Sequence, residues 1–242
     1  MASTCSLLGR IARVTCTRPR NFRPLPPLSA CRGWDSLVAT RHAGATIRSP
    51  PLIAAHNSNV GKLAGALAGR IRAEDAADVS VIGPAATYAA VKAIMIAGQY
   101  LQDNQPGVCL GFSPAKQALS VHGGTSGEKE TVGLLLHTRA VADPGTQNEP
   151  PVFAAGDTNV GNMASLMKTP LGMGNSITIG CMGARAVSSA LKATIIATKY
   201  MEGDLMQHET LVLVPRYETF KVDSVDSEER VRILLTCSRA TA

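Results

Sequence analysis

Two pairs of short loops carry the residue types that could do chemistry. "AAHNSNVGK" (54–62) and "AAGDTNVG" (154–161) put small polar side chains just ahead of apolar, helix-periodic runs. "IGPAA" (82–86) and "MGARA" (182–186) open two further helical runs behind a glycine. The first turn of a helix leaves backbone N–H groups unpaired, and its dipole favours negative charge, so such loops suit a phosphate. The residues best placed to touch one are Asn57, Ser58, Asn59, Lys62, Asn159 and Arg185. Ser58, Asn59, Thr158 and Asn159 are equally the types that cap helices. Capping and phosphate contact are compatible, and both readings stay open at this point.

Basic side chains recur toward the end of each half. Lys116, Lys129, Arg216, Lys221, Arg230 and Arg232 alternate there with Glu128, Glu130, Glu218, Asp223, Glu228 and Glu229. Arg230 and Arg232 lie two apart and so share one face of a strand. Arg216, Lys221, Arg230 and Arg232 therefore join the candidates for contact with a nucleic-acid backbone. Few phosphates could be neutralised, so modest affinity that falls with salt is expected. Tyr88, Phe112, Tyr217 and Phe220 are scattered, which disfavours a stacking groove for single strands.

Catalytic patterns do not emerge. "GGTSGEKE" (123–130) has the wrong Gly–Lys spacing for a phosphate-cradling loop and falls between two strands. His56, His122, His137 and His208 have no metal-ligand spacing, and neither a G-x-S-x-G elbow nor a Cys/His couple stands out. The expectation is a non-enzyme with no cofactor, no metal and no small-molecule substrate.

The elements that must position these loops occur twice. "VKAIMIAGQY" (91–100) answers "LKATIIATKY" (191–200), and an ungapped overlay of 50–101 on 150–201 has sixteen identities in fifty-two positions. This is a tandem duplication. In the first copy "PLIAA" (51–55) is a short strand, Val60, Leu63, Ala64, Leu67 and Ile71 mark a helix, and "ADVSVIG" (77–83) is a second strand. Ala85 to Gln102 is a second helix; "GVCLGF" (107–112) and "TVGLLLHT" (131–138) are strands. The order β-α-β-α-β-β repeats as "VFAA", Asn159–Met167, "SITIGCM", Ala184–Met201, "ETLVLVPRY" and "RVRILLT". Pro170 and Gly172 are expected to cut the first helix of the second copy short. The predicted segments are a leader (1–50), a first module (51–138), a linker (139–149) and a second module (150–238).

One helix per copy is apolar on two sides. Val91, Ile94, Met95 and Leu101 form one stripe; Ala93, Ile96, Ala97 and Tyr100 form another. Such a helix must be covered twice, by its own sheet and by something else. The sibling copy supplies the second cover, so an intramolecular pseudo-dimer is expected. Eleven linker residues reach about 37 Å, enough for side-by-side packing.

The formal charge of +6 is misleading until it is located. Residues 1–50 carry eight Arg and one acid, giving +7; residues 51–242 carry sixteen Lys+Arg against seventeen Asp+Glu, giving −1. The basicity belongs to the leader, which is also rich in Ser and Thr. "SLLGRIARV" gives it an amphipathic stretch, the pattern of an organellar transit peptide, mitochondrial rather than plastid by that stretch. No apolar run approaches a membrane span. Cys109, Cys181 and Cys237 are far apart with no C-x-x-C pair, so free buried thiols are expected rather than disulfides or zinc.

"NVGKLAGALAGRIR … VSVIGPAATYAAVKAIMIAGQYL" closely resembles the stage V sporulation protein S family, and "MGARAVSSALKA" (182–193) is similar to a turn and helix of the related Alba family. "VDSVDSEERVRILL" resembles the acidic hairpin strand of the first family, with "GEKET" (127–131) a fainter echo. The resemblance implies an α/β (α+β) chain of two Alba-like β-α-β-α-β-β sandwich modules, associated through their second helices. It also implies membership of a superfamily that binds DNA or RNA. The Alba family puts basic residues at the two loops, where only Arg185 clearly does so here; Ser58, Thr158 and Pro84 stand instead, and Asp157 is unfavourable. Two functions remain open: an organellar nucleic-acid binder, or a protein-assembly module associating with other proteins or with its own copies.

Overall fold

Each copy builds the predicted order. In the computed structural model the first module is β1 (Leu52–Ala54), α1 (Val60–Glu74), β2 (Ala76–Val81), α2 (Pro84–Gln102), β3 (Val108–His122) and β4 (Glu128–Ala142). The second is β5 (Val152–Ala154), α3 (Val160–Gly172), β6 (Ile177–Cys181), α4 (Gly183–Tyr200), β7 (Glu209–Lys221) and β8 (Glu229–Thr241). The structure describes residues 49–102, 108–122, 128–145, 151–206, 208–221 and 229–241. Residues 1–48, 123–127 and 222–228 lie outside the described residues, and so do the expectations that fall on them.

Local chemistry explains the helices. Asn59 caps α1 with its side-chain oxygen on the Lys62 N–H at 3.0 Å, and Leu63, Ala64, Leu67, Ala68 and Ile71 bury one face. Asp75 ends α1 in the left-handed region (φ 62°), its N–H returning to the Ile71 carbonyl. Arg72 then donates to the Tyr100 carbonyl at 2.8 Å, tying the end of α1 to the end of α2. In α3 the expected early stop does not occur: the helix runs through Pro170 to Gly172. Leu171, fully buried, anchors that last turn, and Arg239 takes the Gly172 carbonyl at 3.0 Å. A proline this close to a helix end disturbs little ladder, and core burial outweighs it.

Within each module the first two strands are parallel, Ala54 opposite Val81 and Ala154 opposite Cys181, so both helices of a module start from one edge. The last two strands form hairpins longer than predicted. β4 runs on to Ala142, still paired with Val108, so the strand consumes the first part of the expected linker. Apolar alternation through "RAVA" has a partner to pair with, which is why the strand does not stop at Thr138.

The modules share one sheet of eight strands, in the order β1-β2-β4-β3-β7-β8-β6-β5. The seam is β3 against β7, antiparallel, with Phe112 opposite Leu213. One row crosses the molecule: Ala77, Thr138, Phe112, Leu213, Cys237, Ile177. Ala77 and Ile177 are equivalent repeat positions, as are Phe112 and Leu213, so a pseudo-twofold axis passes between the last two. Buried residues of all four helices and of alternate strand positions form one continuous core. α2 packs on α4 at its centre. α2 is buried from Ala86 to Gly98 on both apolar stripes, Val91 and Ile94 on one, Ala93 and Ala97 on the other. Cys181 and Cys237 are free, their thiols pushed up to about 12 by burial. No helix among the described residues is long and apolar enough to cross a membrane.

Candidate nucleic-acid interface

The loops before α1 and α3 spend their polar groups on themselves. The Ser58 hydroxyl accepts the Ala55 N–H at 2.9 Å, and Thr158 repeats this with Ala155 at 2.7 Å. Asn159 accepts from the N–H groups of Gly161 and Asn162 at 3.0 and 3.1 Å. Three of the candidates, Ser58, Asn59 and Asn159, therefore work as turn and cap residues, with their acceptor oxygens occupied. Asn57 and Lys62 are exposed beside them, as is Asp157 in the other loop.

α2 and α4 begin differently. α2 follows Gly83 and α4 opens on Gly183, both at positive φ (82° and 84°), a conformation that only glycine adopts without strain. Gly83 has no side chain with which to cap α2, and Met182 makes no capping bond to α4. The first-turn amides of these two helices are left to solvent or to an anion. Arg185 is exposed in the first turn of α4 and lies over the loop before α3: a Cβ added to Gly156 would come within 3.0 Å of its own Cβ. Arg185 thus joins the β5–α3 loop to an uncapped helix start.

Between the modules the helix starts meet. Gly83, Pro84 and Thr87 of the first module and Val160, Ser188, Lys192 and Ile196 of the second line one cavity of about 390 Å³. Lys116 and the β4 segment Val132–Leu134 close its other side. Ser188 is only 5% exposed and makes no hydrogen bond among the described residues. Its hydroxyl is not among the buried polar atoms that lack a partner, so it keeps access to the cavity it lines. Two lysines from different modules, an uncapped helix start and a spare hydroxyl make this the described surface best suited to a phosphate.

The equivalent positions on the other side of the pseudo-twofold axis have diverged. Where the first side has Ser188 and Lys116, the equivalent positions are Tyr88 and Tyr217. Burial raises the Tyr217 pKa most, and the neighbouring Tyr88 raises it further. Lys92, the counterpart of Lys192, sits 4.5 Å over the Tyr88 ring.

A model of the family described as Stage V sporulation protein S (SpoVS) matches residues 52–129 and 154–238. The chain belongs to this family. It carries two SpoVS units in tandem, which the shared sheet joins edge to edge. No curated protein matches the chain significantly.

In this tandem SpoVS chain the hairpin candidates separate from the helix-start edge. Arg216 is held by Asp143, whose carboxyl is kept low first by the Gly145 N–H and then by Arg216. It lines a different cavity, beside Gln99 and Gln102 in the last turn of α2. Arg232 is bound to Glu218, its partner across the β7–β8 ladder, and its guanidinium lies 5.0 and 4.8 Å from the Phe153 and Phe220 ring centres. This is a packed structural residue, with little freedom to reach a phosphate. Arg230 is exposed on β8, and the Lys221 side chain lies outside the described residues.

Sequence reasoning missed Ser188 and Lys192 and left Lys116 among the hairpin residues. The available signal was an exchange inside a repeated helix, Tyr88 for Ser188 beside the repeated Lys92 and Lys192.

Proposed function

We propose that this tandem SpoVS chain is a non-catalytic nucleic-acid-binding protein that grips the phosphate backbone of RNA, or of DNA, along its helix-start edge. The observation that carries this reading is the inter-module cavity, where Lys116 and Lys192 flank the uncapped start of α2 and the Ser188 hydroxyl. Arg185 and Lys62 add two exposed cationic side chains near helix starts. The Arg-rich leader supports action in an organelle, mitochondrial in the first instance. Near-neutral charge in the folded part accords with modest affinity.

The assembly reading loses its main support, because the apolar helix faces that would serve association are spent on each other in the α2–α4 contact.

The test uses the full chain, with affinity for mixed RNA and for duplex DNA measured across a salt series. Replacing both Lys116 and Lys192 by Glu should weaken all sequences alike and flatten the salt slope by about 1–2. The leader contributes a slope of its own, so the comparison is between wild type and variant. An unchanged slope removes the cavity from the interface.

A further inference from the structure

The sheet face turned away from the helices carries a polar cluster that the proposed nucleic-acid edge does not use. Asp78, His137 and Ser113 stand in one row across β2, β4 and β3. The His137 Nδ1 meets the Asp78 carboxylate at 2.8 Å, and the Ser113 hydroxyl donates to the Leu211 carbonyl at 2.8 Å. Arg139 follows two residues along β4. With Ala76, Thr138 and Thr210 these side chains line a cavity of about 310 Å³ that reaches across the seam to the second module.

The donors in this cavity are not balanced by acceptors. The Arg139 Nη2 is buried and has no hydrogen-bond partner, and Arg139 has no ion pair among the described residues. A guanidinium is charged at every relevant pH, and a buried charged donor without a partner is among the costlier defects a fold can carry. Asp78, the nearest carboxylate of the cluster, is already engaged by His137 on one oxygen. The Nε2 of His137 makes no bond among the described residues and is left for a second partner.

The fold does not require these charges. The equivalent positions of the second module are Thr178, Thr236 and Ser238, and there the two threonine hydroxyls simply meet at 3.4 Å. One copy thus satisfies the row with neutral groups, while the other keeps a guanidinium short of an acceptor beside an open cavity.

We propose that this cavity binds a small organic oxyanion, a carboxylate or a phosphate monoester. Its oxygens pair with the Arg139 guanidinium, and with the His137 Nε2 when the ring carries protons on both nitrogens, since the Nδ1–H is given to Asp78. Arg139 suits such a group because its planar fork offers two parallel N–H donors. The volume is at the small end of ligand sites, so a compact metabolite fits and a polymer does not. The site goes beyond the nucleic-acid reading and does not depend on it.

Thermal melting of the full chain tests this, with acetate, succinate, citrate, inorganic phosphate and glycerol phosphate each compared with chloride at equal ionic strength. An oxyanion that fits should raise the Tm by about 3–6 °C once it exceeds its dissociation constant about tenfold. The carboxylates and phosphates then rank the two chemistries directly. Arg139→Met should melt no lower than wild type without ligand, since it removes an unpartnered donor, and should lose the shift. Arg139→Lys keeps the charge without the fork and should weaken binding about tenfold or more. The Lys116/Lys192 double variant should keep the full shift, which separates this site from the helix-start edge. If no oxyanion outperforms chloride, or if the shift survives in Arg139→Met, the proposal is overturned.

Discussion

Phe112 faces Leu213 across the seam, and the two are the same position of the duplicated unit. Both are fully buried beneath the helix layer. The pseudo-twofold axis therefore runs through hydrophobic core, and neither module has a complete core of its own at that point. Replacing Phe112 by Ala should cost about 3–5 kcal/mol. Urea unfolding should show one cooperative transition for both modules. Two separate transitions would show that the halves fold independently.

The asparagines ahead of α1 and α3 are caps. Asn59→Ala and Asn159→Ala should each lower stability by about 1 kcal/mol, since each removes an acceptor from first-turn N–H groups. Nucleic-acid affinity, measured on the folded variants, should change less than about twofold. A large affinity loss without a stability loss would restore these residues to the interface.

Arg232 and Arg185 should behave oppositely. Arg232→Ala leaves Glu218 unpaired and empties the space between Phe153 and Phe220, at a cost of about 2 kcal/mol. Arg185→Glu, at an exposed position, should leave stability within about 0.5 kcal/mol of wild type. It should weaken binding to every nucleic acid tested. Denaturation and binding isotherms on the two variants check both halves of the contrast.

Asp143 and Arg216 give a small pH dependence. The folded-state carboxyl of Asp143 is lowered, mainly by the Gly145 N–H and next by Arg216. Its contribution is therefore complete above the unfolded carboxylate pKa and fades as pH falls through the lower folded value. The pair is partly exposed, so Asp143→Asn should cost less than about 1 kcal/mol at neutral pH. The gap between variant and wild type should close as pH falls from about 5 toward 3. A gap that widened on acidification would reverse the assignment.

Residues that act through local pattern were legible. Val60, Leu63, Ala64, Leu67 and Ile71 at helical spacing marked α1, and the two apolar stripes of α2 announced a helix covered on both sides. Asn59 and Asn159 were readable as caps because capping depends on neighbours a few positions away. Pro170 misled, because burial of Leu171 by distant strands overrides a local breaker. Hairpin lengths were underestimated, since pairing partners decide where a strand ends as much as composition does.

The candidate site was legible only in part. The loops were found, but Ser188, Lys192 and Lys116 meet only through the packing of α2 on α4, and their separation along the chain hides it. The same holds for Asp78 and His137, fifty-nine residues apart and bonded only because β2 pairs with β4. By itself, the amino-acid order determined the duplication, the element order, the pairing of two apolar helices and the segregation of basic charge into residues 1–50. The tertiary structure alone decided that the two sheets fuse at Phe112 and Leu213, that Arg232 is packed away, and that Lys116, Ser188 and Lys192 line one cavity. Local spacing sets which face of an element is apolar. The register and angle at which two such faces dock depend on side-chain volumes summed over both modules, and no short stretch of sequence contains that sum.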